Sequence, residues 1–168
     1  WPYQLHHVQN PGFEDGLKGW KTDGNATVLP WQEAFPDRDR GSYAPVPEGK
    51  SVLRTHPPPG GTASLATSLR NLKPGEFYAC KLYVTDREWS RKKIPVDIAI
   101  QGAECLDRLN RHRVWTVQSG ERCWNMHRRV FRALAPDAAL TVRERQSRAD
   151  RDPLFWDFVQ VEPYFPRP

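Results

Sequence analysis

Apolar and polar residues alternate with a period of two along much of the chain, which predicts half-buried β-strands. From Thr62, Leu65, Thr67 and Leu69 fall on one face and Ser64, Ala66 and Ser68 on the other. Ile94, Val96, Ile98 and Ile100 share a side in the same way, and Leu140 and Val142 alternate with Thr141, Arg143 and Arg145. Glu76 to Thr85 is apolar on both faces, so it is expected to be a central strand. Shorter strands are predicted at Leu5 to Gln9, Ala26 to Trp31, Gly49 to Thr55, Val114 to Gln118, His127 to Ala133 and Leu154 to Glu162. In the last of these Phe155, Asp157, Val159 and Val161 share one parity; the face of Trp156 and Phe158 is either a second buried face or a concave platform. Gly102 to Arg113 reads as a short helix or as a long loop.

The 168 residues include 16 prolines and 11 glycines, which leave almost no room for an uninterrupted helical period. About ten short strands without helical interleaving predict an all-β chain, an antiparallel β-sandwich or jelly roll in a single domain spanning 1–168. No run of about 18 apolar residues is present, so no membrane-spanning helix is expected, and no charged-then-apolar leader follows Trp1.

The net charge of +5 comes from 25 basic and 20 acidic residues that are interspersed, as on a solvated surface. The basic residues do not gather with aromatics on one strand, so nucleic acid is not expected as a partner. Three cysteines without CxxC spacing argue against zinc. Cys80 falls in an apolar strand and is expected to be a buried free thiol, while Cys105 and Cys123 flank one polar segment and are candidates to pair in an oxidising compartment.

One stretch departs from the strand pattern: Asn10-Pro11-Gly12-Phe13-Glu14-Asp15-Gly16-Leu17-Lys18-Gly19-Trp20. Its glycines predict tight turns that bury Phe13 and Trp20 and present Glu14 and Asp15. It is followed by G-K-S-V-L-R, then S-L-A-T-S-L-R-N-L-K-P-G-E-F-Y-A-C-K-L-Y-V, W-N-M-H-R-R-V-F-R-A-L and a final F-W-D-F-V-Q-V-E-P. In this order the motifs resemble carbohydrate-binding modules with a galactose-binding-like β-sandwich, over nearly the whole chain from Asn10 to Glu162. The resemblance implies a structural calcium ion where the first corner meets the last strand. Glu14 and Asp157 match its carboxylates, and the main chain near Lys50 is a third match, although Phe158 stands where a second aspartate is frequent. Hard oxygen donors of this kind suit Ca²⁺. The competing reading has Glu14 capping the corner's amides and Asp157 pairing with an arginine.

Sugar rings stack their C–H faces on aromatic side chains. Trp31, Trp89, Trp115 and Trp124 sit beside or within polar loops and are the candidate ligand platforms, each with a second reading as a loop anchor packed on the core. Trp20 is assigned to the core. The resemblance implies a noncatalytic glycan-targeting module, bacterial and extracellular, periplasmic or at the cell surface, fused to other domains of a larger secreted protein. The abundant arginine favours an anionic polysaccharide. Two alternatives stand beside it. One is a structural β-sandwich without a sugar site. The other is a jelly-roll polysaccharide lyase built on Asn110-Arg111-His112-Arg113 and Trp124-Asn125-Met126-His127-Arg128-Arg129, for which no complementary strand is evident. No GxSxG, HExxH or phosphate loop occurs, and no catalytic residue is assigned.

Overall fold

The computed structural model describes residues 7–23, 25–35, 50–57, 61–86, 93–117, 122–145 and 153–166, with the main chain alone for 115–117, 122 and 123. Among the described residues eleven strands follow one another: β1 Trp20–Asp23, β2 Asn25–Pro30, β3 Ser51–His56, β4 Ser64–Leu69, β5 Phe77–Asp86, β6 Val96–Gln101, β7 Ala103–Cys105, β8 Arg111–Val117, β9 Arg122–Ala133, β10 Ala138–Glu144 and β11 Leu154–Pro163. A four-residue helix, α1 Trp31–Ala34, follows β2, and a 3₁₀ turn Asp107–Leu109 separates β7 from β8. The ambiguous segment 102–113 is therefore strand, turn and strand.

The strands form two antiparallel sheets. The smaller has the order β1-β4-β10-β6, and the larger β2-β3-β11-β5-β9, with β7 and β8 both pairing along β9. The β5 strand lies between β11 and β9, as its two apolar faces require. The inner faces meet in one core that includes Leu53, Leu65, Leu82, Val84, Ile98, Phe131, Leu140 and Trp156. Cys80 is a free thiol within it, and burial pushes its pKa up to about 12, so it is inert as a thiolate at neutral pH. Cys105 is also free. The expected pairing with Cys123 fails on register: Cys105 lies opposite Phe131 and Cys123 opposite Thr116. Those positions on β9 are roughly 26 Å apart at the rise of an extended strand, far beyond the reach of a disulfide.

A second cluster forms on the outer face of the larger sheet, where α1 folds over Val52, Trp124 and Phe155 and contributes Trp31 with Phe35. Both faces of β11 are thus covered at its start. The parity read from the sequence breaks further along, because a bulge between Asp157 and Gln160 shifts the register and Phe158 takes a positive φ of 48°. Beyond the bulge Val159 and Val161 face the inner core together with Leu154 and Trp156, while Phe155 faces outward.

Candidate functional site

The glycine corner folds around Asn10, whose φ of 54° lies in the left-handed region that asparagine tolerates. Its side-chain amide donates to the carbonyls of Gly16 and Lys18 at 2.9 and 3.1 Å, and its Oδ1 accepts from Asp15 N–H at 2.9 Å. Its carbonyl accepts from the Trp20 indole at 3.0 Å. Phe13 and Trp20 are buried with ring centroids 5.2 Å apart, as the sequence predicts.

Glu14 projects from this corner to β3, where Oε1 accepts from Lys50 N–H at 2.5 Å and Ser51 N–H at 3.3 Å. The β11 strand reaches the same corner, since Val159 N–H donates to the Pro11 carbonyl at 3.0 Å. Antiparallel pairing of Leu53 with Trp156 puts the next residue of β11, Asp157, beside Val52. The corner, the start of β3 and the bulge of β11 therefore meet. Among the described residues no three of His, Cys, Asp and Glu converge on a possible metal position. A Ca²⁺ ion here would need main-chain oxygens beside Glu14 and Asp157. The Lys50 carbonyl already accepts from Trp31 N–H at 2.7 Å, which leaves it one further lone pair. A donor set of two carboxylates and carbonyls is compatible with a hard cation.

Two of the four candidate platforms are core residues. Trp31 is 1% exposed and Trp124 0%, both locked in the cluster under α1, so neither offers a ring face to a sugar. The physical reason is that this sheet is covered on its outside at one end as well as on its inside. Trp89 lies outside the described residues, as does the side chain of Trp115.

The uncovered part of that outer face carries a polar surface instead. Cross-strand partners share a face, and Lys81 on β5 lies opposite both Gln160 on β11 and Arg128 on β9, which in turn lies opposite Arg111 on β8. The next row runs Asp157, Tyr83, Met126, Arg113. Lys81 pairs with Glu162 at 2.5 Å, Gln160 donates to Glu162 at 3.0 Å, and the Arg128 guanidinium lies 5.5 Å from the centroid of the Tyr164 ring. Burial and the Glu162 charge raise the pKa of the half-buried Tyr83, which keeps its hydroxyl protonated and able to donate.

A second opening lies at the edge of the sandwich, between the edge strand β6 and the β8–β9 pair. Its volume is about 200 Å³, and its walls include Lys93, Asp97, His112, His127, Arg129 and Arg145. The two polar clusters noted in the sequence complement each other here, because register places His112 opposite His127 with ring centroids 4.8 Å apart. Asn125 Oδ1 accepts from Ile94 N–H at 3.0 Å and lies 2.6 Å from His112 Nε2, which fixes the His112 proton on that nitrogen. Burial, then the neighbouring His112, brings the His127 pKa down to about 4, against a weaker opposing effect of its main-chain hydrogen bond with Ile94.

With that geometry described, comparison with solved structures places the architecture. A family 61 carbohydrate-binding module solved with β-1,4-galactotriose aligns over 95% of this chain and 99% of its own, at TM-score 0.59 and 19% identity. A family 16 carbohydrate-binding module aligns over 92% and 98%, at TM-score 0.57 and 14% identity. The fold is that of carbohydrate-binding modules. A Clostridium thermocellum xylanase 10B fragment with a family 22 module and a family 10 hydrolase module, solved with xylohexaose, aligns over 97% of this chain and 29% of its own, at TM-score 0.52 and 9% identity. No protein-family model matches the sequence. No curated protein matches it significantly. At these identities the likeness establishes the sandwich and leaves the ligand to the residues.

The polar row escaped the sequence reading because its members come from four strands and only register aligns them. Lys81 within an otherwise apolar strand was the available signal: a lysine at a position that should be covered implies an open patch on that face.

Proposed function

We propose that the chain is a noncatalytic glycan-binding module that takes an extended, anionic polysaccharide across the outer face of its larger sheet. The observation that carries this reading is the cross-strand row Gln160, Lys81, Arg128 and Arg111 beside the half-buried ring of Tyr83. A row of side-chain donors suits the oxygens of sugar hydroxyls, and its lysine and arginines suit carboxylate or sulfate substituents. The shared fold with glycan-binding modules supports it. In this reading the module belongs to a larger secreted bacterial protein and works outside the cytoplasm; no helix among the described residues is long and apolar enough to cross a membrane. Calcium, held by Glu14, Asp157 and the Lys50 carbonyl, would clasp the corner to the last strand and supply rigidity rather than chemistry.

The test of binding is an array of neutral, carboxylated and sulfated polysaccharides, followed by titration of Tyr83→Ala and Lys81→Ala. Loss of at least tenfold in affinity is expected for each variant, with an unchanged melting temperature for Lys81→Ala; Tyr83 also packs against the cluster under α1, so Tyr83→Ala should melt lower as well. An array that retains nothing, or variants that bind as the wild type does, would leave a structural sandwich domain as the better account.

A further inference from the structure

The cleft at the β6 edge shares Arg111 and Arg128 with the end of the outer-face row, while His127, Arg129, Lys93 and Arg145 take no part in that row. Two buried side-chain nitrogens on the same face of β9, His127 Nε2 and Arg129 Nε, lack a hydrogen-bond partner, and both residues line the cleft. Buried polar atoms in folded proteins are nearly always paired, so the Arg129 Nε–H lacks an acceptor and the His127 Nε2 lone pair lacks a proton or a donor, which solvent or a bound group must supply. His127 is 6% exposed, and its other ring nitrogen is engaged with the Ile94 main chain, so Nε2 is the atom turned toward the space.

The charges around that space are unequal. Lys93, Arg111, Arg128, Arg129 and Arg145 line it against a single lining carboxylate, Asp97. Asp97 is taken by Arg145 at 2.5 Å, and Asp107 from the 3₁₀ turn takes Arg129 at 2.7 Å. No carboxylate among the described residues pairs with Lys93, Arg111 or Arg128. A concave site with this surplus attracts anions, and its low-dielectric walls strengthen the attraction.

We propose that this cleft is a binding site for a single oxyanion, a carboxylate or sulfate group that is either free or carried by an acidic sugar, received by His127 Nε2 and the unpaired Nε–H of Arg129, whose other two nitrogens are held by Asp107 and the Ile98 carbonyl, with Lys93 at the mouth. As a neutral ring with its proton on the Ile94 side, His127 presents a lone pair to the cleft and cannot donate to an anion. Binding therefore draws a proton onto Nε2, and the imidazolium then donates to the bound oxygen. The groups that face His127 are His112 from β8, Asn125 and Arg129 from β9, Asp97 from β6, Lys93 from the segment before it and Arg145 from the end of β10. Apart from Asp97, the charged members of this set are cationic and oppose the added proton; the anion's charge removes that opposition.

The probe is sodium sulfate, whose charge is constant across the range used, compared with sodium chloride at matched ionic strength. Histidine ring resonances are followed by NMR as a function of pH. Sulfate is expected to raise the apparent His127 pKa by at least one unit, and calorimetry is expected to show proton uptake as a dependence of the heat on buffer. If His127 reaches a pKa of about 6 when bound, sulfate binds roughly fourfold tighter at pH 5.5 than at 7.5. Lys93→Gln, at an exposed position, is expected to weaken sulfate at least threefold without altering the melting temperature. Replacing sulfate by glucuronate and by glucose distinguishes the source: tighter binding of glucuronate assigns the cleft to an acidic sugar, and binding of sulfate alone assigns it to the free oxyanion. A His127 titration that is identical in sulfate and chloride overturns the proposal. Since the readout is the His127 ring, which takes no part in the outer-face row, a silent glycan array with a positive sulfate shift, or the reverse, separates the two readings.

Discussion

Truncating Trp124 distinguishes a core tryptophan from a sugar platform. Its indole is fully buried, in van der Waals reach of Phe35 at a centroid separation of 6.2 Å and in one cluster with Trp31, Val52 and Phe155. A side chain of this size buries roughly 200 Å², which at about 25 cal/mol per Å² is worth on the order of 5 kcal/mol. Large-to-small changes of buried aromatics cost about 3–5 kcal/mol. The lower half of that range is expected here, because the four-residue helix α1 closes the cluster on one side and can settle into part of the cavity. For a domain of this size each kcal/mol lowers the melting temperature by about 2–4 °C, so Trp124→Ala should melt roughly 6–16 °C below the wild type. Differential scanning calorimetry measures this, with near-ultraviolet circular dichroism reporting the loss of fixed aromatic packing. A variant that melts within about 2 °C of the wild type yet loses glycan binding would refute the assignment of Trp124 to the core and return it to the binding surface.

Further expectations concern the corner and the cleft. In Gly19→Ala the new methyl would lie 2.8 Å from Gln9 Oε1 at a φ of +83°. The flexible glutamine can yield but the backbone cannot, so a loss of about 1–2 kcal/mol is expected by denaturant unfolding, and Gln9→Ala should restore only the contact's share. Calcium at about 100 times its dissociation constant should stabilise the fold by roughly 2.7 kcal/mol; a melting transition indifferent to both Ca²⁺ and EDTA would remove the ion from the clasp, and Glu14→Gln should abolish any shift observed. Stability should also depend on pH through His127, whose folded pKa of about 4 lies below the unfolded value. The unfolded chain binds the proton more readily between those values, so stability is fully present above about pH 6.5 and declines by on the order of 2–3 kcal/mol as pH falls toward 4. His127→Gln should flatten that part of the urea-midpoint profile.

Local chemistry made much of the scaffold legible. Period-two alternation located β4, β6 and β10 and the buried side of each, because side-chain direction in an extended chain depends on parity alone. The glycine corner, with Phe13 and Trp20 buried behind Asn10, was legible for a similar reason: positive φ and tight turns are demands on single residues. Other features depend on which distant segments meet. The bulge in β11 reverses parity after Asp157, and nothing in Phe155-Trp156-Asp157-Phe158 announces it before the strand is pinned between β3, β5 and the Pro11 carbonyl. Trp31 and Trp124 look like loop aromatics until α1 folds back over the sheet and removes both from solvent. Likewise His112 and His127 are two histidines in separate polar clusters until antiparallel register sets one ring against the other across the β8–β9 ladder. Sequence alone thus determined most of the strands and the corner, whose causes are short-range; the short β1 and β7 and the isolated bridge at Val8, where a first strand was expected, depend on their partners. Tertiary structure decided which polar residues share an opening and that Trp31 and Trp124 are covered, because register and coverage are properties of pairs of segments that the chain brings together only on folding.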